Sequence, residues 1–192
     1  TDLVKEGSTL TASRQWKDVY WTLNDSGSKP NLYAVSPDGK LIKPAWVRKY
    51  SGVNVAGARN IDWEALTADD KGNLIIGDFG NNMNFRRDLA LYVVPEPWPQ
   101  DAVETHYLAR YVFRYPDMKK FPPEKQNFDG EALFFARGSL YILTKHRSDT
   151  FTKLYRFGEL KQGETNVPQL VGRFDAGDMV TDAEADKDGE RL

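Results

Sequence analysis

Pairs of carboxylates separated by one residue recur along this chain, and these residues are the best suited to do chemistry. Residues two apart in a strand point to the same face of a sheet, so each pair predicts two side chains directed to one side. Carboxylates gathered around one point repel each other unless a cation, a proton or a basic group compensates them. The pairs are Asp62 and Glu64, Asp129 and Glu131, and Asp182 and Glu184.

A calcium ion suits such a cluster, because it takes about six to eight oxygen ligands in flexible geometry. We therefore expect these carboxylates to be metal ligands and Ca²⁺ to be the cofactor. The alternative is that they accept hydrogen bonds from backbone amides of a neighbouring sheet and hold the fold together.

Polar loops after the second predicted strand of each repeat supply further candidates. Such a loop returns to the end of the sheet at which the first strand began, because adjacent strands run antiparallel. Arg86 is suited to clamp an anion, with salt bridges to nearby acids as the alternative. The expected ligand-binding residues are Asn24, Asp25, Asp78, Asn81, Arg86 and Lys145.

Three residues are candidates for catalysis. Glu64 or Glu131 would activate a water molecule beside a metal ion. His146 has an ordinary pKa close to neutrality and would act as a general acid or base. The alternative for His146 is a solvated loop histidine.

The elements that position these residues are predicted to be strands. Segments such as 19–23, 73–76 and 139–143 are short, rich in β-branched and aromatic residues, and bounded by turn formers. The sequence NIDWEAL at 60–66 returns as NFDGEAL at 127–133. Each copy is followed by a turn, a second strand, a third strand containing Leu-Tyr, and a fourth strand. The predicted fourth strands cover 46–50, 111–115 and 170–174.

Repeated four-stranded antiparallel units predict an all-β fold, a β-propeller in which each unit is one blade. The first strand of each blade would line the central channel and bring the acidic pairs together. We expect one partial propeller domain over 1–192, with blade 1 at about 6–52, blade 2 at about 60–117, blade 3 at about 127–176 and the start of blade 4 at about 180–192.

Propellers typically close with about 4–8 blades. The chain is therefore expected to be a fragment of a six- to seven-bladed ring. The open edge would self-associate or need the missing blades, because an unpaired strand is a template for another strand.

The segment 68–82, ADDKGNLIIGDFGNN, resembles the NHL repeat, a propeller blade with a similar turn, strand and loop. Together with 21–27, 62–64 and 91–97, it is similar to a group of secreted bacterial propellers of uncharacterised function. This resemblance implies a β-propeller located outside the cytoplasm, in the periplasm or secreted. Distant relatives include calcium-dependent lactonases of the gluconolactonase type and propeller phytases, whose metal ligands surround the channel.

Composition narrows the functional classes. The chain of 192 residues is 40% hydrophobic and 28% charged, which is typical of a globular protein, and its net charge of −2 argues against a nucleic-acid partner. No apolar run approaches the roughly 20 residues that span a bilayer. No signal peptide is recognisable at the start. Cysteine is absent and only two histidines occur, which excludes thiolate sites and argues against a multi-histidine metal centre.

Two functions from different classes are compatible with these observations. The first is an extracytoplasmic binding or scaffold propeller that recognises a small molecule, glycan or peptide over the central channel. The second is a calcium-dependent hydrolase of lactones or phosphate esters that uses the acidic residues at the channel mouth.

Overall fold

The computed structural model describes residues 2–186 and 188–192, which form fourteen strands and no helix. The remaining two residues, Thr1 and Lys187, lie outside the described residues. Both belong to the predicted domain, and Lys187 belongs to the predicted start of blade 4. Since no helix forms, the described residues contain no helical segment long and apolar enough to cross a membrane.

The first sheet contains β1 (Gly7–Ala12), β2 (Tyr20–Asn24), β3 (Asn31–Val35), β4 (Leu41–Ile42) and β5 (Val53–Ala56). The order is β1-β2-β3, after which β4 and β5 pair with opposite ends of β3. All pairs in this part of the sheet are antiparallel.

The predicted fourth strand at 46–50 is wrong, because those residues form turns and its place is divided between β4 and β5. Pro44 begins this turn region and has no N–H to donate to a ladder. Trp46 is exposed and its indole donates to Asp101 at 3.2 Å, whereas Val53 and Val55 alternate into the core.

The second sheet is an antiparallel meander of β6 (Trp63–Ala68), β7 (Asn73–Asp78), β8 (Ala90–Pro95) and β10 (Ala109–Val112). A short strand, β9 (Glu104–His106), precedes β10 and belongs to the first sheet. The third sheet is a meander of β11 (Asp129–Ala136), β12 (Ser139–Lys145), β13 (Phe151–Arg156) and β14 (Gln169–Asp175).

The first strands of the three sheets lie side by side, β1 against β6 and β6 against β11, and together form what we call the hub. One apolar core lies between the first and second sheets and contains Trp21 and Trp63, both fully buried. A second core lies between the second and third sheets around Phe79, Phe113 and Tyr155. Sheets that pack face to face around adjoining first strands are blades, so the fold is a partial β-propeller.

Each of the last two sheets sends a connection back to the outer edge of the sheet before it. β9 leaves the second sheet and pairs in parallel with β5, with Asn54 opposite Glu104. Asn166 leaves the third sheet, and its amide N–H donates to Val112 O at 2.8 Å and its carbonyl accepts from Arg114 N at 3.1 Å. These crossings cover strand edges that would otherwise present unpaired backbone groups.

The described part of 180–192 contains no strand, although a strand was predicted to open there. Side chains hold the segment instead of a ladder. Asp182 accepts hydrogen bonds from Thr9 Oγ1 at 3.1 Å and Leu10 N at 3.3 Å on β1, and Ala185 packs with Phe134 of β11.

Candidate functional site

A β-bulge at the start of the hub strands aims the acidic side chains. On β6, Trp63 pairs with Asp78 and Ala65 with Gly77, so Glu64 is the extra residue. The register of β11 shifts in the same way around Glu131. Bulges redirect side chains and are frequent next to functional sites. The repeated sequence therefore encodes a repeated distortion, with a glutamate at its apex in both sheets.

The loop after β7 closes over the first acidic pair. Phe79 anchors this loop in the core, where its ring meets Phe113 edge-on at a centroid distance of 6.1 Å. Gly80 leaves room for the acids, because a Cβ there would lie 2.5 Å from Asp62 Cγ and 2.7 Å from Glu64 Oε1. The glycine thus allows both carboxylates to approach the backbone.

Six carboxylates meet at this end of the hub, and we call them, with three basic residues, the acidic cluster. Three of the carboxylates have a cation of their own. The ion pairs are Asp78–Arg86 at 3.0 Å, Glu131–Lys145 at 2.7 Å and Asp129–Arg147 at 2.8 Å.

The other three carboxylates, those of Asp25, Asp62 and Glu64, have no ion pair within 4.0 Å among the described residues. Each offers one oxygen, and these atoms all lie within 4.8 Å of one another. Glu64 is only 6% exposed and its carboxylate makes no hydrogen bond to a described residue. We call these three residues the unpaired triad.

The electrostatics of the cluster favour uptake of positive charge. Burial, followed by the negative charges of Glu131 and Asp25, raises the pKa of Glu64 to about 9. Burial raises the pKa of Asp62 to about 6 despite the nearby Arg86. Burial also raises the pKa of Glu131 to about 7, opposed by the hydrogen bond from Lys145. At neutral pH the cluster therefore holds a proton or requires another cation.

Asp129 and Asp78 both accept hydrogen bonds from backbone amides, and for Asp129 the amide belongs to the neighbouring sheet, which was the alternative given for the acidic pairs. Asp129 is fully buried, and its Oδ1 accepts a hydrogen bond from Asn81 N of the preceding sheet at 2.7 Å. Asp78 is also fully buried, and its Oδ1 accepts from Asp62 N at 3.0 Å. These acids tie loops and sheets together.

The pair Asp182 and Glu184 lies apart from the acidic cluster. Asp182 contacts β1 as described above, and burial raises its pKa. Glu184 Oε1 accepts a hydrogen bond from Thr67 Oγ1 at 3.4 Å, and burial raises its pKa to about 7. The repeat predicted one common position for all three pairs, but only the first two meet.

His146 is also separate from the cluster, although Lys145 beside it belongs there. It lies in the wall of a cavity of about 430 Å³, with Nδ1 at 2.7 Å from Asp149 Oδ1. Burial lowers the pKa of His146, and Nε2 has no hydrogen-bond partner among the described residues. A carboxylate therefore holds the imidazole at one nitrogen.

Asn24 and Asn81, both expected to bind ligand, accept hydrogen bonds from backbone amides. Asn24 Oδ1 accepts from Lys5 N at 3.0 Å, and Asn81 Oδ1 accepts from Arg86 N at 2.9 Å. Each orders a loop that carries a member of the cluster.

Two residues important to these sites were not predicted. Arg147 is the cation of Asp129, and Asp149 is the partner of His146. Both lie in the polar loop 146–150 after β12, so the clustering of charge in that loop is the available signal.

Comparisons with known proteins give little further information. No family model matches the sequence, and no curated protein matches it significantly. Among solved structures, the chain is similar to Kluyvelomyces marxianus Hsv2, with 12% identity and a TM-score of 0.40. The match covers 88% of this chain and 46% of Hsv2, so the chain spans less than half of that protein. A likeness this low bears on neither function nor site residues.

Proposed function

We propose that this protein is a ligand-binding β-propeller whose hub binds a calcium ion at the unpaired triad. One observation carries the proposal: three of the six clustered carboxylates have their own cation, and the three that do not lie within 4.8 Å of one another. A shared divalent cation would compensate all three.

The chemistry of the triad fits calcium better than a transition metal. Its donors are oxygens only, and hard cations prefer carboxylate oxygens. Three carboxylates supply part of the roughly six to eight oxygens that calcium takes. The remaining positions would be filled by water or by oxygens of a ligand above the hub, such as a small molecule, glycan or peptide.

We infer that the protein functions outside the cytoplasm. Calcium sites of extracellular modules work at about 0.1–1 mM. A site with three carboxylates, one of them largely buried, suits such a range. The resemblance to secreted propellers points the same way.

Calcium titration of the purified protein tests the proposal. A ligand that binds only the folded state, at about 100 times its Kd, raises the free energy of unfolding by about 2.7 kcal/mol. We expect saturable heat and a rise in Tm with calcium, both lost in Glu64→Gln. No change at about 10 mM calcium would reject the site.

Glu131→Gln is the matched control, since Glu131 has the same bulge position in the next sheet but is paired with Lys145. Its calcium affinity should fall much less than that of Glu64→Gln. Equal losses in the two variants would mean that the whole cluster, rather than the triad, determines binding.

A calcium-dependent hydrolase is the second candidate, favoured because the Glu64 carboxylate accepts no hydrogen bond from a described residue. A bound cation would lower its pKa and leave it able to accept a proton from water. Hydrolysis of a lactone or phosphomonoester panel that needs calcium and disappears in Glu64→Gln would establish this activity. Calcium binding without turnover would leave the binding function alone.

A further inference from the structure

A second cavity, of about 260 Å³, lies beside the second and third sheets. Its wall is mainly apolar and is formed by Leu89, Phe113, Tyr115, Met118 and Phe121. Such a wall favours an apolar group of a ligand by removing it from water. Arginines also line this space, and we call it the arginine-rimmed cavity.

The lining that the described residues form contains three arginines, Arg86, Arg87 and Arg114, and no carboxylate. Arg86 is engaged already, with Asp78 at 3.0 Å and Gly80 O at 2.9 Å. Among the described residues, the guanidinium groups of Arg87 and Arg114 donate no hydrogen bond. The described lining therefore carries a net positive charge, which favours an anionic ligand.

Arg87 is held in place without using its donors. Its Cζ lies 4.4 Å from the centroid of the Phe121 ring, which is a cation–π contact. A guanidinium stacked in this way keeps its N–H groups in the plane of the fork, where a carboxylate binds with two parallel hydrogen bonds. The apolar wall would therefore contact an apolar end of a ligand, and the guanidinium groups would bind an anionic group at its other end.

The size of the cavity limits the ligand. Sites for drug-sized molecules occupy about 300–1,000 Å³, and this cavity is smaller. A single aromatic ring carrying a short acid is the ligand that matches an aromatic wall, this volume and an arginine rim.

We propose that the arginine-rimmed cavity binds a small aromatic carboxylate, with its ring against Phe113 and Phe121 and its carboxylate at Arg87 and Arg114. This site uses Arg87 and Arg114, which are not part of the acidic cluster, although Arg86 borders both sites. Its test is therefore made in EDTA, so that failure of either proposal leaves the other standing.

The probe is 3-phenylpropionate, compared by calorimetry or NMR titration with two analogues. The neutral amide, 3-phenylpropionamide, keeps the ring and removes the charge, and propionate keeps the charge and removes the ring. Charge-assisted hydrogen bonds and ring burial each predict at least about tenfold weaker binding of the corresponding analogue. Equal binding of acid and amide, equal binding of acid and propionate, or no saturation by about 10 mM acid would each overturn the proposal.

The double variant Arg87→Gln/Arg114→Gln removes the rim while leaving Arg86 on its buried partner. Both substituted residues are exposed, so we expect the fold to be retained. We expect at least about tenfold loss of affinity for the acid and little change for the amide. Arg48→Gln, at an exposed arginine outside the cavity, is the control. Unchanged binding of the acid to the double variant would contradict the assignment.

Discussion

Replacing Glu64 by glutamine should stabilise the protein at neutral pH in the absence of metal. The folded-state pKa of Glu64 is raised from 4.5 to about 9. A group with a raised pKa contributes stability that is fully present below its unfolded pKa and is lost as pH rises through the folded pKa. The wild type therefore loses stability between about pH 4.5 and pH 9, whereas glutamine has no proton to lose.

The magnitude follows from the same pKa. At pH 7 the solution is about 2.5 pH units above the ordinary value, and each unit corresponds to about 1.36 kcal/mol. The advantage of Glu64→Gln over wild type should thus grow by about 3 kcal/mol between pH 4.5 and pH 7. Since Glu64 is only 6% exposed, solvent does little to reduce this difference.

Urea denaturation in EDTA at several pH values measures the effect, taken as the difference between variant and wild type at each pH. Glu159→Gln, at an exposed glutamate outside the acidic cluster, is the control. A Glu64→Gln difference that is constant with pH, or that shrinks as pH rises, would refute the electrostatic reasoning. Calcium added to the wild type should cancel the advantage of the variant, because the cation replaces the proton.

Three further outcomes are expected. Gly80→Ala should weaken calcium binding about tenfold and destabilise the fold by about 1–3 kcal/mol, because the added Cβ meets two of the three triad carboxylates, those of Asp62 and Glu64. Calorimetry and urea titration measure both effects, and Gly158→Ala, at a glycine with open space around it, should change neither. Phe79→Ala should lower the free energy of unfolding by about 3–5 kcal/mol, since the ring is fully buried, and a loss below about 1 kcal/mol would contradict its role as an anchor. Burial lowers the pKa of His146 below 6.5, so the unfolded state binds the proton more readily and stability is lost as pH falls below about 6.5. His146→Asn should remove that part of the acid sensitivity. An unchanged dependence of the free energy of unfolding on pH would contradict this role of His146.

The sheets were predictable because equivalent residues of each repeat lie in equivalent strands. The Leu-Tyr pairs at 32–33, 91–92 and 154–155 lie in β3, β8 and β13, each the third strand of its sheet. The pairing of β9 with β5 was not predictable, because Glu104–His106 has no apolar alternation and its hydrogen bonds to β5 join residues that are 50 positions apart in the sequence.

The acidic cluster was predictable in part for the same reason. Equivalent positions of neighbouring blades meet at the hub, and Asp62, Glu64, Asp129 and Glu131 do so. Which of them remain unpaired depends on cations at different offsets in each loop. Arg86 follows Asp78 by eight residues and Lys145 follows Glu131 by fourteen, so no repeat pattern shows the pairing.

The backward crossing of β9 means that the first blade is finished late. Its outermost strand is made of residues 104–106, whereas the rest of that sheet ends at Ala56. During synthesis, about fifty residues must follow before β5 acquires its neighbour. Each blade is therefore fastened to the next by a segment of the later blade. A chain interrupted between the first and second blades leaves β5 with unpaired backbone groups at the edge of the first sheet.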